Sequence, residues 1–250
     1  MTRNIFKFTL AIFLVPLAAA EGKVSIAQPT KAELAHMSFA PVGELSCSKG
    51  LSTQVLQGTV VGRRDTLLTV AHVLDGNTPE RGTWLKGCIF RLFDRDGRIR
   101  FASRVSVASR PSESLRWSYA LDWAILRLEK NALVEPAQVA DLHSALESGH
   151  HSLAYFSRNR GRRFLQIASR CSVRTIRPRS IVLKHDCPSW KGTSGSPLLA
   201  RTRDGYRVFG IQAKVGGYAV GIAGWPLEEL RKATAVGKGD TDGALFPTKI

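Results

Sequence analysis

Three side chains in this 250-residue chain sit in local settings suited to hydrolysis. They are His72 in Leu68-Thr69-Val70-Ala71-His72, Asp122 in Leu121-Asp122-Trp123-Ala124-Ile125-Leu126, and Ser194 in Gly192-Thr193-Ser194-Gly195-Ser196-Pro197. A serine hydroxyl is a weak nucleophile at neutral pH and needs a base within hydrogen-bond reach. Imidazole suits that task, because its unperturbed pKa of about 6.5 lets it take and return a proton near neutrality. An acid must then fix the imidazole tautomer and stabilise the imidazolium that forms. Glycines flanking Ser194 permit tight backbone conformations. Such a segment can turn amide groups toward a developing oxyanion.

Each residue also has a plainer reading. His72 could be a structural histidine at a strand end, Asp122 a turn residue, and Gly192–Gly195 a simple Ser/Gly-rich turn. Burying an unpaired carboxylate ahead of the apolar run Trp123–Leu126 would be costly, so Asp122 is expected to have a partner. Chain order adds further weight. An α/β-hydrolase places its Gly-x-Ser-x-Gly elbow before the acid and the histidine. A subtilisin-type chain places its aspartate before the histidine. Here the order is His, Asp, Ser, with the acid 50 residues after His72.

These motifs, in this order, resemble the trypsin/chymotrypsin-like serine peptidases, particularly the bacterial branch near the glutamyl endopeptidases. The resemblance implies an all-β fold of two antiparallel six-stranded β-barrels, with the active site in the crevice between them and a short C-terminal helix. It places His72 and Asp122 in the first barrel and Ser194 in the second. The Gly192 and Ser194 amides become the oxyanion hole. Pro188, Ser189, Trp190 and Lys191, with Gln212, Ala213, Lys214 and Val215, become the walls of the substrate pocket.

The chain also departs from the family pattern. Thr193 stands where zymogen-activated members carry an aspartate, and no Ile-Val-Gly-Gly start is present. Removal of a leader is therefore expected to suffice for activation. Val73 follows the histidine instead of a bracing cysteine. No aspartate marks an arginine or lysine preference, and Gln212 replaces the histidine typical of glutamyl endopeptidases. Lys191 or Lys214 favouring an acidic side chain, or facing solvent, are both open.

The elements that must position these residues read as short strands. Apolar, β-branched or alternating runs occupy 54–61, 66–70, 88–93, 98–107 and 123–128, separated by turn-like clusters such as Asp75-Gly76-Asn77. A second set covers 152–157, 163–167, 180–184, 197–200, 206–212 and 218–223. Two such groups predict two antiparallel barrels or sandwiches. Between them, residues 129–150 form a connector with a weakly helical stretch at 139–146, and Leu227–Ala233 reads as a short helix. Arg3 and Lys7, the apolar run Phe8–Ala20 and Ala18-Ala19-Ala20 together make a secretory signal peptide, too short to anchor in a bilayer. The expected organisation is a signal peptide at 1–20, a leading segment or short pro-region at 21–42, and a first barrel at 43–135. The connector and second barrel follow at 136–236, then a mobile tail at 237–250.

Four cysteines (Cys47, Cys88, Cys171 and Cys187) in an exported chain predict two disulfides. Three pairings are open. Cys47 with Cys88 and Cys171 with Cys187 is favoured, because each pair would staple one half of the chain. The net charge of +16 predicts salt-weakened attraction to polyanions or an envelope surface. Ten Arg or Lys residues and a single acid, Asp186, lie between His151 and Ala200, with Arg158, Arg160, Arg162 and Arg163 most tightly clustered. That segment reads as a solvated basic face or as a docking surface for acidic ligands. No zinc-finger spacing or RNA-binding aromatic signature points to a specific nucleic-acid reader. His150 and His151 are adjacent, with no carboxylate or cysteine completing a metal set, and His143 and His185 are expected at the surface. No metal or cofactor is expected.

The leading function is a secreted or periplasmic, monomeric serine endopeptidase acting on protein or peptide substrates. A second class is a catalytically silent, protease-like binding protein that works through its basic face.

Overall fold

A computed structural model describes residues 25–27, 41–49, 52–72, 87–94, 96–111, 118–159 and 162–235. The expected leader at 1–20, most of 21–42, the turn at Asp75–Asn77, Arg160 and the tail from 237 lie outside those residues. The first half is a closed barrel of β2 (Val42–Lys49), β3 (Ser52–Val60), β4 (Thr66–Thr69), β5 (Cys88–Phe93), β6 (Ile99–Ser109) and β7 (Ala124–Leu128), ordered β2-β3-β4-β7-β6-β5. Alternation drives it. Cys88, Phe90 and Leu92 of β5 are buried while their neighbours are half-exposed, and Phe101, Ser103 and Val105 of β6 point inward between exposed residues. Leu45, Phe90, Leu67 and Leu126 are fully enclosed, each stabilising the fold by about 1.5–3 kcal/mol relative to exposure.

The second half contains β8 (His151–Asn159), β9 (Arg162–Cys171), β10 (Val173–Thr175), β11 (Val182–His185), β12 (Pro197–Thr202), β13 (Gly205–Lys214) and β14 (Tyr218–Gly221). The short β1 (Ser25–Ala27) pairs with β9 at one edge, giving the order β1-β9-β8-β12-β13-β14-β11-β10. Leaving out β1 and β10, the strands follow the same permutation as the first barrel, second-first-fourth-fifth-sixth-third. The two halves therefore share one topology. They differ in closure: the second sheet curls but has no closing ladder among the described residues, and it carries eight strands where six were expected. The added strands β1 and β10 are three residues each, too short to give a periodicity signal. Strand β2 is eight residues long, but its apolar residues are only Val42, Leu45 and Cys47, which left it without a clear strand pattern in the sequence.

Residues 137–140 stitch the halves together. Ala137 donates to the Val60 carbonyl (2.8 Å), Val208 to Gln138 (2.9 Å) and Ala140 to Val208 (2.8 Å). Helix α1 (Leu142–Glu147) follows, capped by Asp141, whose carboxylate accepts from the Ser144 amide at 2.9 Å. That hydrogen bond holds the Asp141 carboxyl below its ordinary value. Helix α2 (Trp225–Thr234) returns to the first barrel, where Arg127 donates to the Ala233 carbonyl and Ser109 to Glu229. Both disulfides join cysteines within one half: Cys47 to Cys88 across the β2–β5 ladder, and Cys171 to Cys187. No helix among the described residues is long and apolar enough to cross a membrane.

Candidate active site

The antiparallel β4–β7 ladder pairs Thr69 with Ala124, so the chain leaving β4 and the chain entering β7 meet at the same barrel end. His72 follows β4 by three residues, and Asp122 precedes β7 by two. Asp122 is 2% exposed and accepts twice from His72. Its Oδ1 takes the backbone amide at 2.9 Å, and its Oδ2 lies 2.8 Å from ring Nδ1. An ionised carboxylate can only accept, so Nδ1 carries the ring proton and Nε2 keeps its lone pair. The ring itself is 39% exposed and borders an open cleft.

Ser194 comes from the second half, in a loop of two successive turns. Thr193 donates its amide to the Trp190 carbonyl (3.1 Å), and Ser196 donates to Thr193 (3.0 Å). Gly195 donates to the Gln212 carbonyl (2.7 Å), fastening the loop to β13. Gly192 has φ +101° and Gly195 has φ +83°, conformations that a Cβ strains. At Gly195 a Cβ would also lie 2.0 Å from the Gln57 carbonyl oxygen. Among the described residues, neither the Gly192 nor the Ser194 amide donates to a backbone carbonyl.

Ser194 and His72 line the same cleft, of about 770 Å3. The Ser194 hydroxyl donates to the Ala213 carbonyl at 3.5 Å, and no hydrogen bond joins it to His72 among the described residues. The structure therefore forms the His72–Asp122 link and brings Ser194 to the shared cleft, with its hydroxyl turned toward β13.

Gln57 on β3 is a contributor that sequence reasoning missed. Its backbone amide donates to the Ser194 carbonyl (2.7 Å), and its side chain donates from Nε2 to the Gly192 carbonyl (3.0 Å). Its Oε1 accepts from the Phe156 amide (3.1 Å), and its own carbonyl accepts from the Thr69 hydroxyl (2.7 Å). One buried glutamine thus spans both halves and holds the peptides on either side of the Thr193–Ser194 bond. A polar residue in the apolar-flanked strand Val55–Val61 was the available signal.

The residues expected to wall the pocket have varied surroundings. Ser189 accepts from the Gly216 amide at 3.3 Å, bridging the two walls. Trp190 packs edge-on against Tyr155, ring centroids 4.6 Å apart. Burial pushes the Tyr155 hydroxyl up to about 12, and among the described residues that hydroxyl has no hydrogen-bond partner. Gln212 is fully buried. Its Nε2 donates to the Lys214 carbonyl (2.7 Å), and its Oε1 pairs with His185 Nε2. Its amide is therefore spent internally. Pro188 is half-buried, Ala213 buried, and Lys214 and Val215 exposed. Lys191 is exposed and lines the cleft. His185 was expected at the surface, but it lies 4% exposed on β11. Strand alternation turns it inward onto Gln212, and burial lowers its pKa from the ordinary value.

A closed six-stranded barrel packed against a curled sheet of the same strand order defines a trypsin-like double-barrel fold. The chain belongs to the trypsin-like peptidase domain family, whose model matches residues 57–211. Among solved structures it is similar to a Glu endopeptidase in complex with MPD, with TM-score 0.63 and 13% identity, covering 85% of this chain and 98% of that one. It is also similar to the scabies mite inactivated protease paralogue S-I1, with TM-score 0.58 and 12% identity, covering 82% and 98%. No curated protein matches the sequence.

Proposed function

We propose that the protein is an exported serine endopeptidase that cleaves peptide bonds through an acyl-enzyme. Ser194 Oγ attacks the scissile carbonyl, and His72 Nε2 takes its proton and delivers it to the leaving amine. Asp122 holds the ring in the required tautomer. The Gly192 and Ser194 amides receive the oxyanion. Water then repeats the sequence on the ester, restoring Ser194. For attack, Ser194 leaves its 3.5 Å contact with Ala213 by a side-chain rotation, a small cost because the contact is long. Catalytic hydrogen bonds of this kind commonly tighten only when substrate is bound.

The observation that carries this reading is the double acceptance of His72 by a buried Asp122 at the edge of the cleft that Ser194 shares. Export follows from the expected leader, and the two disulfides support an oxidising compartment. Hydrolysis of p-nitrophenyl esters by the leader-free protein, lost in Ser194→Ala and His72→Ala, tests it. A monomer in solution is part of the proposal.

The Ser194–Ala213 hydrogen bond favours one second reading, a protease-like binding protein whose serine rests away from the base. Polyanion binding that is unchanged in Ser194→Ala, with no ester hydrolysis by the wild type, would support it.

A further inference from the structure

Besides His72 and Ser194, the cleft is lined by Val55–Gln57 of β3, Phe156 and Arg158 of β8, and Trp190 and Lys191. Of the expected pocket walls it therefore shares Trp190 and Lys191, whereas none of residues 212–215 lines it. Ser194 therefore stands between two regions. On one side is β13, whose Ala213 carbonyl holds its hydroxyl. On the other is this cleft. A peptide whose acyl portion lies along 212–215 sends the residues after the scissile bond into the cleft.

The charge of that cleft is one-sided. Among the described residues its one acid is Glu44, and both carboxylate oxygens are already taken by Arg163, Oε2 by Nε at 2.6 Å and Oε1 by Nη2 at 3.0 Å. The pair is largely buried, with side chains 7% and 15% exposed. Arg158 and Lys191 are exposed at the cleft wall, and neither pairs with an acid among the described residues. Two unbalanced cations in a concave site attract negative charge more strongly than the same cations on a convex face. Trp190 (40% exposed) and Val55 (36%) add apolar surface between them.

We infer that this cleft is a subsite for acidic residues on the C-terminal side of the scissile bond. The inference rests on the peptidase reading for its direction. Arg158 and Lys191 engage the carboxylates of the leaving peptide, while Trp190 and Val55 pack its apolar atoms. Substrate preference is then set after the cleaved bond, at a place distinct from the pocket beside Gln212.

Acyl transfer tests the subsite directly. With Ser194 acylated by a p-nitrophenyl ester, an added dipeptide amide competes with water. Its amine forms the new C–N bond, the ester bond to Ser194 breaks, and His72 returns the proton to Oγ. Asp-Glu amide should capture the acyl group about tenfold more effectively than Lys-Arg amide at low salt. The difference should shrink in about 0.5 M salt. Arg158→Glu with Lys191→Glu should reverse the order. Equal capture of both amides, or an acid preference that survives the double reversal, would overturn the inference.

A protein that never acylates refutes the peptidase reading instead. For that case, anisotropy of a fluorescein-tagged Trp-Asp-Glu peptide is measured on Ser194→Ala. Binding about tenfold tighter than for Trp-Lys-Arg, abolished by the charge reversal, upholds the acidic subsite. Binding without charge preference overturns it.

Discussion

Asp122 holds His72 at two points, accepting its backbone amide at 2.9 Å and its ring Nδ1 at 2.8 Å. One carboxylate thereby fixes both where the chain turns after β4 and which ring nitrogen carries the proton. Asp122→Asn should keep the fold but present an N–H to Nδ1 or flip the tautomer. We expect kcat for ester hydrolysis to fall by about 10⁴, by analogy with other triads. A drop of less than tenfold would mean the carboxylate is structural.

Gln57 should act by positioning. Gln57→Leu removes the side-chain bonds to Gly192 and Phe156 while leaving its backbone bond to Ser194. The expected result is a kcat lowered about 10- to 100-fold with KM nearly unchanged, since misplaced oxyanion donors weaken transition-state binding. Gln57→Glu keeps the acceptor for the Phe156 amide but loses the donor to Gly192, and should behave like the leucine variant. A purely structural role would lower the melting temperature and leave kcat per folded molecule intact.

His185 makes stability pH-dependent. Its pKa is lowered by burial, so on acidification the unfolded chain takes up the proton before the native chain does. Stability is full above the ordinary value of 6.5 and is lost as pH falls from there through the lowered native value. Urea denaturation at stepped pH should show this loss in the wild type. His185→Gln should be less stable at pH 8 and show a flatter profile between pH 7 and pH 5. Parallel profiles would contradict the assignment.

Tyr155 buries a hydroxyl beside Trp190 that has no partner among the described residues. Tyr155→Phe removes that unpaired group and keeps the edge-on ring contact. The variant should be more stable by about 1 kcal/mol in chemical denaturation. A loss of similar size would show that the hydroxyl is bonded in solution.

How far these features could be read from sequence depended on whether the signal was local. The His72, Asp122 and Ser194 motifs are each a contiguous run, and most strands were visible as alternating or apolar stretches. Sequence left three disulfide pairings open, and the one favoured because each half would hold its own staple is the one the structure forms. What stayed hidden depends on pairing between distant segments. Gln57 looks like an ordinary polar strand residue until β3 lies against the Ser194 loop, 135 residues away. The burial of His185 likewise depends on β11 facing β13 through β14. Arg163 reads only as part of a basic cluster and nothing local singles out Glu44, 119 residues away, so only the packed halves reveal their ion pair.

The most direct test is fluorophosphonate labelling of the folded, disulfide-bonded, leader-free protein beside its Ser194→Ala variant. The account predicts covalent labelling of the wild type at Ser194 and none in the variant. A correctly folded wild type that stays unlabelled, or equal labelling of both proteins, would contradict it.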